Sequence, residues 1–214
     1  MRKSLFLGCP LTQFGMSIAG KREVMLYYDM LSRGYDELYG EEQSEKYREI
    51  FKNVKLRGIV ADLGCGTGLL IGYMKRHMRL IVWYVGLDIS KGMIERALEK
   101  RDIMLNADLI QGDIEYLPFR NDIFDTVVSI TVLQNVLSPH KVVKEIERVT
   151  KGKVIISILR AAENSRAIMK EFNKYFHLER MMILKKDVAL VLKKEDKGKG
   201  HRKRRYVVKK IIPR

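Results

Sequence analysis

Apolar and polar positions along this chain follow two periods that take turns. Tyr47, Ile50, Phe51 and Val54 fall at i, i+3, i+4 and i+7, the stripe of an amphipathic helix. From residue 59 short apolar runs at 59–63, 80–87, 107–111, 124–130 and 152–159 predict strands, with helical stripes between them. Leu69, Leu70, Ile71 and Met74 share one helix face after the first run. Met93, Ile94, Ala97 and Leu98 share another after the second, with Ser90 as N-cap. Val142, Val143, Ile146 and Val149 form a third stripe, opened by the capping residue Ser138 and by Pro139 in the first turn. A last helix is expected near 161–174. The runs 178–184 and 187–192 then lie close enough to pair as a hairpin.

Successive strand–helix units require crossovers, and crossovers require a parallel sheet covered by helices on both faces. The fold class is therefore α/β: a doubly wound, mostly parallel, seven-stranded sheet with a C-terminal antiparallel hairpin and an N-terminal helical lid. Residues 1–24 show neither period and read as an extension, with Met25 as an alternative start. Residues 25–192 form the domain (lid 25–57, core 58–192), and 193–214 form a basic tail.

At 214 residues the chain accommodates one domain with a sizeable core. The longest apolar run, 80–87, ends at Asp88 and is far short of the roughly 20 residues of a membrane span, so no membrane partner is expected. Met1–Cys9 imitates a secretion signal, but its apolar stretch is shorter than the roughly 7–15 residues such signals use. Cys9 and Cys65, far apart in sequence, suggest neither a disulfide framework nor a metal site and fit a reducing cytoplasm. The net charge of +15 is unevenly placed: residues 193–214 carry eleven Lys/Arg against Glu195 and Asp196. The globular part is nearly balanced.

In an open α/β sheet, ligands bind beyond the carboxyl ends of the strands where the winding reverses. The first such exit carries Gly64-x-Gly66-x-Gly68, glycines that let the backbone turn sharply and approach a ligand without a Cβ in the way. A nicotinamide-type turn would want its third glycine at position 69, which is leucine. Asp88 follows the second strand about 20 residues on, where a carboxylate accepts ribose hydroxyl protons. Asp113 follows the third strand, where a carboxylate accepts from an adenine amino group while a backbone amide such as that of Ile114 donates to the ring. Either aspartate alone is equally at home as a strand-end cap.

Together, Val60-Ala-Asp-Leu-Gly-Cys-Gly-Thr-Gly68, Val85-Gly-Leu-Asp-Ile-Ser90, Ile110-Gln-Gly-Asp113, Leu117-Pro-Phe119 and Phe124-Asp-Thr-Val-Val-Ser129 resemble the successive motifs of class I S-adenosylmethionine (SAM)-dependent methyltransferases. The likeness is to the branch of quinone-biosynthesis-type and archaeal enzymes, and it covers residues 26–192. It implies SAM as cofactor, with Asp62, Gly64, Cys65, Gly66 and Gly68 forming the methionine-side turn, Asp88 and Ile89 at the ribose, and Asp113 and Ile114 at the adenine. Ser129 would also touch the cofactor, the segment from Ser129 to Asn135 would line the acceptor side, and Tyr28-Asp29 and Tyr35-Asp36 are similar to the paired steps of a helical lid.

Methyl transfer from a sulfonium needs alignment and exclusion of water more than activation. The candidates for a base or acceptor contact are His140, Gln134 and Tyr35; His140 fits an exposed first-turn residue equally well. The motif of amino-group methylation on bases is not present at 129–135, which reads Ser-Ile-Thr-Val-Leu-Gln-Asn. Neither cysteine suits a nucleophile, since Cys65 lies in the cofactor turn and Cys9 in the extension.

The leading expectation is methyl transfer to an unidentified acceptor, with RNA favoured by the tail segment His201-Arg-Lys-Arg-Arg-Tyr206. The alternatives are a small quinone-like acceptor, or a non-catalytic cofactor-binding or RNA-binding protein. An activating protein subunit is a further partner to test.

Overall fold

The computed structural model describes residues 20–77, 83–101 and 106–194. Its elements follow the two periods of the sequence. Helices α1 (Lys21–Leu31) and α2 (Tyr35–Phe51) precede β1 (Ile59–Leu63), α3 (Leu69–His77), β2 (Trp83–Asp88), α4 (Lys91–Arg101), β3 (Ala107–Gln111) and β4 (Phe124–Ile130). A short 3₁₀ turn, Leu133–Asn135, leads to α5 (Pro139–Val149), β5 (Thr150–Leu159), α6 (Ser165–Phe172), β6 (Phe176–Ile183) and β7 (Asp187–Lys194). The sheet order is β3-β2-β1-β4-β5-β7-β6. Its first five strands are parallel, and β7 runs antiparallel between β5 and β6. The winding reverses at β1, between β2 and β4.

The central strands read as unbroken apolar runs because both of their faces are buried. Ala61, Leu63, Val127, Val154 and Ile156 pack on one side against Val142, Ile146 and Phe172. Val60, Tyr84, Val128 and Ile155 pack on the other against Ile50, Phe51, Leu70 and Ile71. The predicted stripe of α2 is buried in full, although the helix ends at Phe51 and Val54 follows in the loop.

Several boundaries differ from the sequence pattern for local reasons. Helix α1 begins at Lys21, inside the segment read as an extension, and it buries Val24. Strand β5 starts at Thr150 rather than 152, across a register shift between Phe124 and Thr126 where Gly152 passes so close that a Cβ would stand 2.5 Å from the Asp125 carbonyl oxygen. Lys193 and Lys194, assigned to the tail by composition, pair with His177 and Phe176 and complete β7. Ser138 precedes α5 without capping it through its side chain; its own N–H donates to Glu115 Oε1 at 3.0 Å. The tail from residue 195 and residues 1–19 lie outside the described residues.

The N-cap expected at Ser90 is present. Its Oγ accepts from the Met93 N–H at 3.1 Å and donates to Asp29 Oδ1 at 2.6 Å, so it joins α4 to α1. Ser90→Ala removes both bonds and is expected to lower stability by about 1–2 kcal/mol, read as a lower urea midpoint with an unchanged m-value. Among the described residues no helix is long and apolar enough to cross a membrane.

Candidate functional site

The glycine turn leaves β1 pinned to the end of β2, since the amides of Gly64 and Cys65 both donate to the Leu87 carbonyl, at 2.7 and 3.0 Å. Gly64, Gly66 and Gly68 all have positive φ, at 76, 54 and 75°. Their surroundings differ. A Cβ on Gly64 would meet Val132 Cγ2 at 2.5 Å, and one on Gly68 would meet Ala97 Cβ at 3.1 Å. A Cβ on Gly66 would meet nothing within 4 Å, because that position faces open space.

The open space is a cleft of about 780 Å³, its mouth included, across the carboxyl ends of β1 to β4. Gly64, Gly66, Asp88, Ile89, Asp113 and Ile114 line it together, as the order of the motifs along the chain predicts. Asp88 Oδ2 accepts from the Gly66 N–H at 2.9 Å and Oδ1 from the Ser90 N–H at 2.9 Å. Lone pairs remain for further donors. Burial pushes the Asp88 carboxyl up to about 6, outweighing the amides of Ser90 and Gly66 that favour its charge, and the charge of Asp29 adds to the rise.

Other expected residues hold the cleft rather than face it. Asp62 lies beneath the turn, where the Tyr84 hydroxyl donates to it at 2.6 Å. Burial pushes its carboxyl up to about 7, partly offset by that hydrogen bond. Cys65 is buried, and burial drives its thiol well above the ordinary range. Ser129 is turned into the sheet, donating to the Leu63 carbonyl at 2.9 Å and tying β4 to β1. Of the candidates for acceptor chemistry, only Tyr35 reaches the cleft. It is half-buried; desolvation first, then the negative charge of Asp88, raise its phenol far above the ordinary value. His140 is exposed on the first turn of α5, with Nδ1 2.5 Å from Glu171 Oε1, and does not line the cleft. Gln134 is buried beside it, donating to the Thr131 carbonyl at 2.7 Å.

The two Tyr-Asp steps divide their labour. Tyr28 and Tyr35 line the cleft, and Tyr28 Oη accepts from Asn135 Nδ2 at 2.8 Å. Asp29 Oδ1 accepts from Ser90 Oγ and, at 2.9 Å, from the Gly92 N–H, at the positive end of α4. Asp36 accepts from the Thr67 hydroxyl and pairs with Lys100 at 2.7 Å.

Lys21 is a further cleft residue with no local sequence signal, and Thr131, within the segment expected to line the acceptor side, has a backbone conformation the sequence does not announce. Lys21, at the start of α1, stands 2.5 Å from Asp113 Oδ2 and 2.7 Å from Glu115 Oε2, and so closes one corner of the cleft. Thr131 lines the opposite side at φ 60°. Among the described residues no group of three or more His, Cys, Asp or Glu is placed to hold a metal ion.

This arrangement suits an adenosyl ligand: a turn whose central glycine leaves room for it, and carboxylates at the next two strand ends. The comparisons agree. Residues 61–158 match a methyltransferase domain. An uncharacterized protein of Methanocaldococcus jannaschii is 34% identical over 137 residues, which is 61% of this chain and 49% of that protein. A demethylmenaquinone methyltransferase of Lactobacillus johnsonii is 31% identical, over 61% of this chain and 56% of that enzyme. The chain thus spans about half the length of these relatives. In three dimensions it is similar to a chain of the Haloferax volcanii complex between the Trm112 methyltransferase activator and its methyltransferase partner, with a TM-score of 0.67, 16% identity and coverage of 79% of this chain and 98% of that one. With motif order, strand order and matched domain in agreement, the chain belongs to the class I SAM-dependent methyltransferases, the family whose methyl donor is S-adenosylmethionine.

Proposed function

We propose that the protein transfers a methyl group from SAM to a small, largely apolar acceptor. The observation that carries this reading is the convergence of Gly66, Asp88 and Asp113 on one cleft that Val132, Val136 and Leu137 also line. The carboxylate of Asp88 would accept the ribose hydroxyls, and Asp113 with the Ile114 amide would take the adenine edge. Gly64 and Gly66 let the backbone approach the methionine side. Bound there, SAM supplies a methyl already carried on a sulfonium, so the chain's own residues are asked to align and desolvate. Tyr28 and Tyr35 roof the cleft and exclude water. Tyr35, its phenol held protonated, serves as a donor rather than as a base. Neither His140 nor Gln134 is placed to remove a proton from an acceptor in the cleft.

The expectation of RNA rested on residues 201–206, outside the described residues. The demethylmenaquinone relative supports the small-acceptor reading instead. An activating subunit remains a partner to test, supported by the likeness to the Haloferax volcanii complex. A cytoplasmic setting is supported by the buried free thiol of Cys65.

The test is incubation of the protein and methyl-labelled SAM with total RNA, protein and lipid extracts. Label is expected in the lipid extract. Label in RNA would overturn the acceptor reading, and absence of SAM binding by calorimetry would overturn the whole assignment.

A further inference from the structure

A buried pair of opposite charges lies behind the acceptor wall. Lys46 of α2 and Asp187, the first residue of β7, approach to 3.0 Å with side chains only 5% and 0% exposed. Both engage Thr131. Lys46 Nζ donates to Thr131 Oγ1 at 3.0 Å, and that hydroxyl donates to Asp187 Oδ2 at 2.9 Å, where the Ser157 hydroxyl also donates at 2.8 Å. The Thr131 main chain is equally committed: its N–H donates to the Ser157 carbonyl at 3.0 Å, and its carbonyl accepts from Gln134 Nε2 at 2.7 Å.

All of this holds a β-branched residue at φ 60°, a conformation it keeps only where its surroundings over-determine it. A buried ion pair is weak evidence for stability, because apolar residues of similar volume often serve the fold as well. Its use here is geometric. Thr131 and Val132 face the cleft, and Val132 is the side chain that sits against Gly64 of the glycine turn. A change in the Thr131 backbone therefore moves the acceptor wall relative to the cofactor turn.

We propose that Lys46 and Asp187 are positioning residues for the methyl acceptor, acting through Thr131 to set the distance between the acceptor wall and the glycine turn. This rests on the reading of the cleft as a methyl-transfer site. Neither residue touches the acceptor itself.

The test compares wild type with Lys46→Met, Lys46→Arg and the double variant Lys46→Met/Asp187→Leu, which removes both buried charges and so spares the fold the unpaired Asp187 carboxylate that Lys46→Met leaves behind. Amide hydrogen exchange at 131–135 is expected to quicken at least tenfold in Lys46→Met and in the double variant, and to stay near wild type in Lys46→Arg. SAM affinity by calorimetry is expected to stay within twofold throughout. The apparent KM for the lipid extract is expected to rise at least tenfold while the KM for SAM does not move. Wild-type exchange at 131–135, or an unchanged extract KM, in the folded double variant would overturn the proposal. A wild-type protein that fails to bind SAM would instead overturn the functional reading, and the exchange measurement would still report on the clamp.

Discussion

Gly66→Ala is expected to fold and lose its grip on SAM, whereas Gly64→Ala is expected to lose stability first. Both positions are left-handed, so each alanine costs about 1–2 kcal/mol in backbone conformation. At Gly66 that is the whole penalty to the fold, since the new methyl meets no protein atom within 4 Å. It enters the space the ligand needs, and an overlap costing about 1–3 kcal/mol corresponds to roughly a tenfold to hundredfold weaker affinity. At Gly64 the methyl lands 2.5 Å from Val132 Cγ2, adding an overpacking cost of similar size to the fold itself. Unfolding midpoints and calorimetric titration with SAM separate the two outcomes. Val132→Ala should restore much of the stability of Gly64→Ala and none of the affinity of Gly66→Ala. Equal loss of affinity without loss of stability in both variants would contradict the assignment of the two glycines.

The second large effect is a pair of opposite pH dependences. Burial raises the carboxyls of Asp62 and Asp88 from an ordinary 3.8 to about 7 and about 6. The folded chain therefore binds protons at these sites more tightly than the unfolded chain does. Their contribution to stability is complete below about pH 4 and is lost as pH rises through 6 and 7, a few kcal/mol in all. Glu42, Asp125, Glu145 and Glu171 have lowered values and act in the opposite sense, losing stability as acid is added below their ordinary range. The ligand-free protein is thus expected to grow less resistant to urea from about pH 4.5 to 7.

Affinity for SAM should run the other way. Taking both ribose hydroxyls requires the ionised Asp88 carboxylate, so the dissociation constant should weaken about tenfold per pH unit below 6 and level off above it. Asp88→Asn should remove the pH dependence of binding along with most of the binding. A dissociation constant that stays flat from pH 5 to 8 would mean that Asp88 is not the ribose acceptor.

What the sequence made legible was local. Gly64, Gly66 and the strand-end positions of Asp88 and Asp113 are each specified by a few neighbouring residues, and the strand–helix alternation supplied the surface on which they meet. Ser129, placed at the site by the family likeness alone, is turned inward by the pleat to the Leu63 carbonyl. Lys21 was invisible because its partners Asp113 and Glu115 lie 92 residues and more along the chain and nothing near Lys21 announces them. The left-handed backbone at Thr131 was equally hidden. That conformation usually advertises itself through glycine or asparagine, and here it is imposed by Lys46, Asp187 and Gln134 from three other elements.

The two N-terminal helices are fastened by different means. Helix α2 sinks Tyr47, Ile50 and Phe51 into the core, while α1 buries Val24, packs the half-buried Tyr27 and Tyr28 beside it, and is tied down by Lys21, Asp29 and the Tyr28 hydroxyl. Unhooking α1 would trade each of those ties for a hydrogen bond to water, at a net cost of about 1 kcal/mol apiece, and would expose Val24 and the packed faces of Tyr27 and Tyr28 while the apolar stripe of α2 stayed buried. Ligand traffic past this helix could then proceed by a hinged flap swinging aside, with the scaffold beneath it left intact.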